Sequence, residues 1–222
     1  MTERCVKVYS RFNRLWHWSQ AASIVALMFT GARIMGLHQV MPFGLAVTVH
    51  SLVAIALLVL WVFATFWLFT THGWKQFIPR LTGLVKVARF YAYGVFRGEP
   101  HPYSKTLERR HNPLQAAAYF ALKMVLFPAI WVTGLIYLSY GFWDFVDGQG
   151  LWLTLVANLH VFAAFAIASF VVAHIYLLTI GHGFKRHVQP MISGYDRVDL
   201  NPEEEAFLEQ KGLVRAVPLY KD

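Results

Sequence analysis

Four apolar stretches, each about as long as a bilayer's hydrocarbon layer is thick, constrain this chain more than any other feature. They run from about Leu15 to Met35, Leu45 to Phe69, Leu114 to Leu138 and Leu151 to Ile180. Each supplies the ~20 mostly apolar residues that a helix needs to cross ~30 Å of lipid. The fourth is long enough to tilt or to project beyond the lipid. Backbone polar groups find no water in that layer, so such runs must be helical. Composition agrees, with 57% apolar and 14% charged residues, against about 25% charged in soluble domains. The expected fold is an all-α membrane protein. A four-transmembrane-helix bundle occupies residues 1–190, with an amphipathic loop over 72–113, and a tail follows over 191–222.

Lys and Arg set the direction of the spans. Arg4, Lys7, Arg11 and Arg14 precede span one. Lys75, Arg80, Lys86, Arg89, Arg97, Lys105, Arg109 and Arg110 fill the long middle loop, and Lys185, Arg186, Arg197, Lys211, Arg215 and Lys221 follow span four. The connection after span one holds only Arg33, and the one after span three holds Asp144 and Asp147 without a base. Both termini and the long loop are therefore expected on the positive, cytoplasmic side of the membrane. The net charge of +8 is accounted for by this topology, and no nucleic-acid motif accompanies it. Cys5 is the only cysteine, which excludes a covalent haem motif and a cysteine cluster for iron–sulfur or zinc. The first apolar stretch is too long for a signal peptide's core and is expected to stay as a helix.

Within the loop, Leu81, Leu84, Val85, Ala88, Ala92 and Val95 recur at helical spacing. They predict an interfacial helix over about Arg80–Phe96, with Lys86, Arg89 and Arg97 on another face. In the tail, Asn201-Pro202 before Glu203, Glu204 and Glu205 reads as the start of a short soluble helix.

Of ten histidines, His17, His50, His160 and His174 lie inside the apolar runs. An ionisable side chain at that depth is costly and calls for a partner. Singly, each reads as a helix–helix hydrogen bond. Together they do more. His160 and His174 are fourteen residues apart on span four, which at about 100° per residue puts them on one side of the helix, ~21 Å apart along its axis. Given the direction of each span, His17 matches the depth of His174, and His50 that of His160. Two neutral imidazoles at each of two levels suit two b-type haems, each iron saturated by a bis-histidine pair and so fitted to electron transfer. Zinc would need four ligands at one point.

Thr30-Gly31 in span one and Thr133-Gly134 in span three echo each other. Those glycines read either as room for a haem face or as close helix packing. Arg14 and Arg33, with Arg11, fall near the levels where haem propionates would emerge, though they serve equally as topology signals. Lys123, inside span three, either snorkels or faces a polar pocket. His38, His72, His101, His111, His182 and His187 read as solvated, and Pro128 as the one interruption of span three.

Several ordered motifs now resemble a known family. Arg14-Leu15-Trp16-His17-Trp18, Thr30-Gly31, His50, His111-Asn112-Pro113-Leu114-Gln115, His160 and His174 resemble the bacterial di-haem cytochromes b. That family includes the gamma subunits of respiratory formate dehydrogenases, nickel–iron hydrogenase cytochromes b and thiosulfate reductase cytochromes b. Arg89-Phe90-Tyr91 through Gly98-Glu99-Pro100-His101-Pro102 is most similar to the thiosulfate reductase branch. The resemblance covers about residues 8–190. It implies a quinone site at the cytoplasmic end of span three, where Asn112 and Gln115 would hydrogen-bond menaquinone or ubiquinone, while Asn112 also reads as a helix cap with Pro113 after it. It further implies a membrane-anchor subunit of a respiratory oxidoreductase. Its partners would be a periplasmic iron–sulfur or multihaem subunit and the catalytic subunit behind it. A stand-alone cytochrome b passing electrons from a small species such as superoxide to quinone is the alternative.

Overall fold

The computed structural model describes residues 2–79, 82–100, 102–103, 111–142, 149–180 and 184–215. Arg80, Leu81, His101, Lys105, Arg109, Arg110, Asp144, Asp147, His182 and Lys221, all used in the reading above, lie outside the described residues. In chain order the elements are strand β1 (Thr2–Lys7), helices α1 (Arg11–Ile34), α2 (Phe43–Thr70), α3 (Leu84–Ala92), α4 (Pro113–Ala121), α5 (Phe127–Leu138), α6 (Gln149–Thr179) and α7 (Phe184–Ser193), strand β2 (Tyr195–Leu200), helix α8 (Pro202–Gln210) and strand β3 (Val214–Arg215).

Three helical stretches among the described residues are long and apolar enough to cross a membrane: Phe43–Thr70, Pro113–Leu138 and Gly150–Thr179. Helix α1 has the length, 24 residues, but Arg11, Asn13, Arg14, His17, Ser19, Gln20 and Arg33 break up its apolar run. Most of the apolar surface of these helices faces outward. Only 11% of the most apolar window of α2 is buried within the protein, and Phe63, Phe66 and Phe162 are largely exposed. Apolar patches of that extent call for lipid or a partner to cover them.

The third run is one helix with a flaw in it. Between α4 and α5 the turn Leu122–Leu126 is a π-turn, and the Phe127 N–H bonds to the Leu122 carbonyl five residues back. Pro128 follows at once. Its missing N–H and its ring would clash with a regular α-turn, and the wider turn ahead of it relieves that conflict. Lys123 sits in this turn, half-buried.

The chain divides into two compact units, one of Trp18–Thr71 and Ala121–Ala173, the other of Met1–His17, His72–Phe120 and His174–Asp222. In the first, four helices share a core. Leu122, Phe127 and Ile167 are buried at its centre, with Ile24, Trp61, Leu126, Ile130, Trp131 and Phe170 packed round them. The Trp61 and Trp131 rings meet edge to face at 4.5 Å, an arrangement favoured by the ring quadrupoles. Helix α1 ends in a Schellman motif. Gly36, at φ +81°, lets its own N–H reach the Arg33 carbonyl at 3.0 Å and that of Leu37 reach Ala32 at 2.9 Å.

The second unit contains a three-stranded antiparallel sheet in the order β2-β1-β3, which the sequence reading did not foresee. Strand β1 pairs along its whole length with β2, Thr2 opposite Leu200 and Lys7 opposite Tyr195. The expected helical membrane fold thus carries a small sheet in addition. Val6, Val8, Val198, Leu200 and Leu208 form the core beneath it. Gly194 makes the bend from α7 into β2 at φ +89°, and a Cβ there would stand 2.7 Å from the Tyr9 carbonyl oxygen, so only glycine fits. Helix α8 starts where the sequence placed it. Asn201 Oδ1 accepts from the Glu204 N–H at 2.8 Å, and Glu204 accepts from the Asn201 N–H at 2.9 Å, a reciprocal capping box.

The amphipathic loop helix is shorter and turned relative to expectation. It spans Leu84–Ala92 and buries Val87 and Phe90, while Val85 and Ala92 lie exposed beside Lys86 and Arg89. The helix is oriented by its contacts: Tyr91, next to Phe90, is tied to Asn112, and Arg89 pairs with Glu99 at 2.9 Å.

Candidate functional site

His50 and His160 come together in the four-helix unit. Their ring centres are 6.4 Å apart with planes at 64°. Two metal–imidazole bonds of about 2 Å each, plus about 1 Å from each nitrogen to its ring centre, place coordinated rings roughly 6 Å apart. The observed spacing has room for one metal ion between the two.

Both rings are held by the same device. Thr30 on α1 brings its hydroxyl oxygen to 2.9 Å from His50 Nδ1 while donating to the Ala26 carbonyl at 2.8 Å. Thr133 on α5 stands 3.1 Å from His160 Nδ1 and 2.6 Å from the Ala129 carbonyl. The adjacent glycines make room. A Cβ on Gly31 would lie 3.4 Å from His50 Cε1, and one on Gly134 3.1 Å from His160 Cε1. The echoed Thr-Gly pairs therefore make room for histidine rings, where the sequence reading offered a haem face or helix packing.

His17 and His174 belong to the other unit. Around His174 the sequence reading missed a chain of rings. Tyr119 lies edge-on to His174 at 6.3 Å and to His111 at 5.0 Å, and His111 stacks on Phe77 at 5.4 Å. His111 is therefore packed among aromatics, where solvation had been expected; it stands ahead of α4, so no helical periodicity announced Tyr119 as its neighbour. His38 is packed as well, stacked on Phe29 at 4.5 Å with its Nε2 2.9 Å from the Phe29 carbonyl.

Asn112 is buried and caps α4. Its Oδ1 accepts from the Gln115 N–H at 2.8 Å and its own N–H donates to Gln115 Oε1 at 3.2 Å. The remaining amide group donates to the Tyr91 hydroxyl at 3.2 Å. Burial pushes the Tyr91 phenol up from its usual range, and the Asn112 hydrogen bond pulls it the other way. Arg14 donates to the Ile192 carbonyl, tying the start of α1 to α7. Arg33 donates to the Met41 carbonyl at 2.7 Å and lies over the Phe43 ring at 5.7 Å.

Among the described residues no three histidine, cysteine or carboxylate side chains converge on a point that could hold a metal ion. The imidazoles come in twos, as axial ligands of a macrocycle do, and the macrocycle's own nitrogens would complete the iron's shell. The histidine donors and the His50–His160 ring spacing fit a b-type haem.

The fold and these residues define a membrane cytochrome b that serves electron transfer. Residues 8–194 match the family described as prokaryotic cytochrome b561, and the chain belongs to that family, whose members bind haem b. It is 32% identical over 201 residues to YdhU of Escherichia coli (strain K12), itself a candidate cytochrome, with 86% of this chain and 75% of that protein covered. No solved structure matches the chain.

Proposed function

We propose that this protein is the di-haem membrane subunit of a respiratory oxidoreductase, moving electrons between a periplasmic redox partner and the quinone pool. The observation that carries it is the His50–His160 pair, two rings at coordination spacing, each with Nδ1 occupied by a threonine. His50 and His160 would hold one haem b towards the outer face, and His17 and His174 a second towards the cytoplasm. The haems supply reversible one-electron chemistry when bound. Helix α1 is read as the fourth span, its basic start placing the N-terminus, the long loop and the tail in the cytoplasm.

The chain's own residues provide position and dryness. The packed layer around Phe127, Trp131 and Ile167 lies, along α6, midway between His160 and His174. It keeps water out of the centre of the bundle. At the cytoplasmic end, the buried Asn112 amide is bonded to Gln115 and Tyr91, and it would position the Gln115 amino group and the Tyr91 hydroxyl, beside Tyr119, toward a quinone headgroup, menaquinone or ubiquinone. Arg14 and Arg33 would stand near the propionates. The partner is an iron–sulfur or multihaem subunit with its catalytic subunit, because the outer connections are too short for catalysis.

The test is direct. Purified protein reduced with dithionite should show a b-type absorbance that a short-chain naphthoquinone or ubiquinone analogue reoxidises within seconds. Asn112→Leu should slow that reoxidation at least tenfold with the absorbance intact. A reduced spectrum that no quinone analogue perturbs would contradict the quinone assignment.

A further inference from the structure

Thr30-Gly31 with His50, and Thr133-Gly134 with His160, repeat one piece of geometry on two helix pairs of the same unit. Each threonine sits within an apolar helix, where its single hydroxyl proton has a fixed destination. It goes to the carbonyl one turn back, at 2.8 Å for Thr30 and 2.6 Å for Thr133. That leaves the hydroxyl oxygen as an acceptor facing the imidazole. Nδ1 must then carry the ring proton, and Nε2 keeps the lone pair that a metal needs. Both threonines are buried, at 2% and 8% exposure, and no bulk water competes for these bonds. Glycine at the next position lets the ring come close enough to make them. A Cβ at Gly134 would crowd His160 Cε1 at 3.1 Å.

We propose that Thr30 and Thr133 are positioning residues that jointly set the redox potential of the group held between His50 and His160, holding it low. The inference rests on those two histidines being axial ligands, as proposed above. Accepting a hydrogen bond from Nδ1–H makes the opposite nitrogen a stronger donor. A stronger donor on each side favours the ferric state over the ferrous. Because the device is present on both ligands, the two contributions act in the same direction.

The experiment is a redox titration of the purified, haem-loaded chain carrying Thr30→Val, Thr133→Val or both, with Thr30→Ser and Thr133→Ser as hydroxyl-retaining controls. Valine keeps the shape and removes the oxygen. The double valine variant is expected to shift one haem roughly tenfold toward the reduced form, about 59 mV upward for a one-electron couple, with each single variant part of the way. The serine variants should titrate with the wild type. Should valine variants lose that haem while serine variants keep it, the requirement for the hydroxyl stands. Haem retained at an unchanged potential in the double valine variant overturns the proposal, as does equal haem loss in the valine and serine variants. His160→Ala, measured in parallel, separates the underlying reading. If it keeps its full haem content, the ligand assignment fails, and this inference with it.

Discussion

At the scale of single residues, the two glycines beside the histidines make unequal demands. Adding a methyl group at Gly31 brings an ordinary contact at 3.4 Å, whereas at Gly134 it forces the His160 ring to give way from 3.1 Å. Overpacking of this kind costs about 1–3 kcal/mol when neighbours cannot move freely. Gly134→Ala should therefore lower the b-haem absorbance per chain, or broaden its low-spin signal, while Gly31→Ala stays close to wild type. Equal behaviour of the two variants would show that the ring positions do not depend on these close approaches. The histidines themselves were legible in the sequence because an ionisable group in an apolar run is costly enough to need a reason. Their threonine partners showed only as echoed Thr-Gly pairs, and the role of the hydroxyls was not legible, because a hydroxyl's bond to a ring on another helix depends on how two helices are rotated.

The elements show a similar division between periodic signals and contacts made across the chain. Length and apolarity revealed α2, α6 and the run Pro113–Leu138 with boundaries near those expected. The start of α8 was written in Asn201-Pro202 and three glutamates, and Asn201→Ala should remove its capping box at a cost of about 1 kcal/mol. Thermal unfolding of the detergent-solubilised protein, followed by proteolysis of the tail, would register that loss as earlier cleavage. Unchanged cleavage would mean that α8 is held by its packing through Leu208 alone. The sheet left no such trace. Strand β1 contributes only six residues and its partner β2 lies nearly two hundred positions away, so its pairing is a long-range choice that local pattern cannot announce. The face of α3 was misjudged for a related reason: Leu84, Val85 and Ala88 fit one apolar stripe, but Phe90 carries the largest apolar ring in that segment and decided which side is buried.

For the whole molecule, β1 is the central strand, with β2 on one side and β3 on the other. Removing residues 2–7 would expose Val198, Leu200 and Leu208 together. Such a deletion should leave haem binding by His50 and His160 in place and make residues 195–215 sensitive to protease. Haem loss at that pair would show that the two units depend on each other for folding. The family match over residues 8–194 spans all four histidines, and the three strands fall outside those bounds.

The central claim is that four histidines hold two haems, pair by pair. The decisive measurement is haem content per chain by pyridine haemochrome, with the low-spin signals counted by electron paramagnetic resonance. The wild type should give two haems. His50→Ala and His160→Ala should each lose the same one, and His17→Ala and His174→Ala should each lose the other. A wild type with a single haem, or variants whose losses cross between the pairs, would contradict the account.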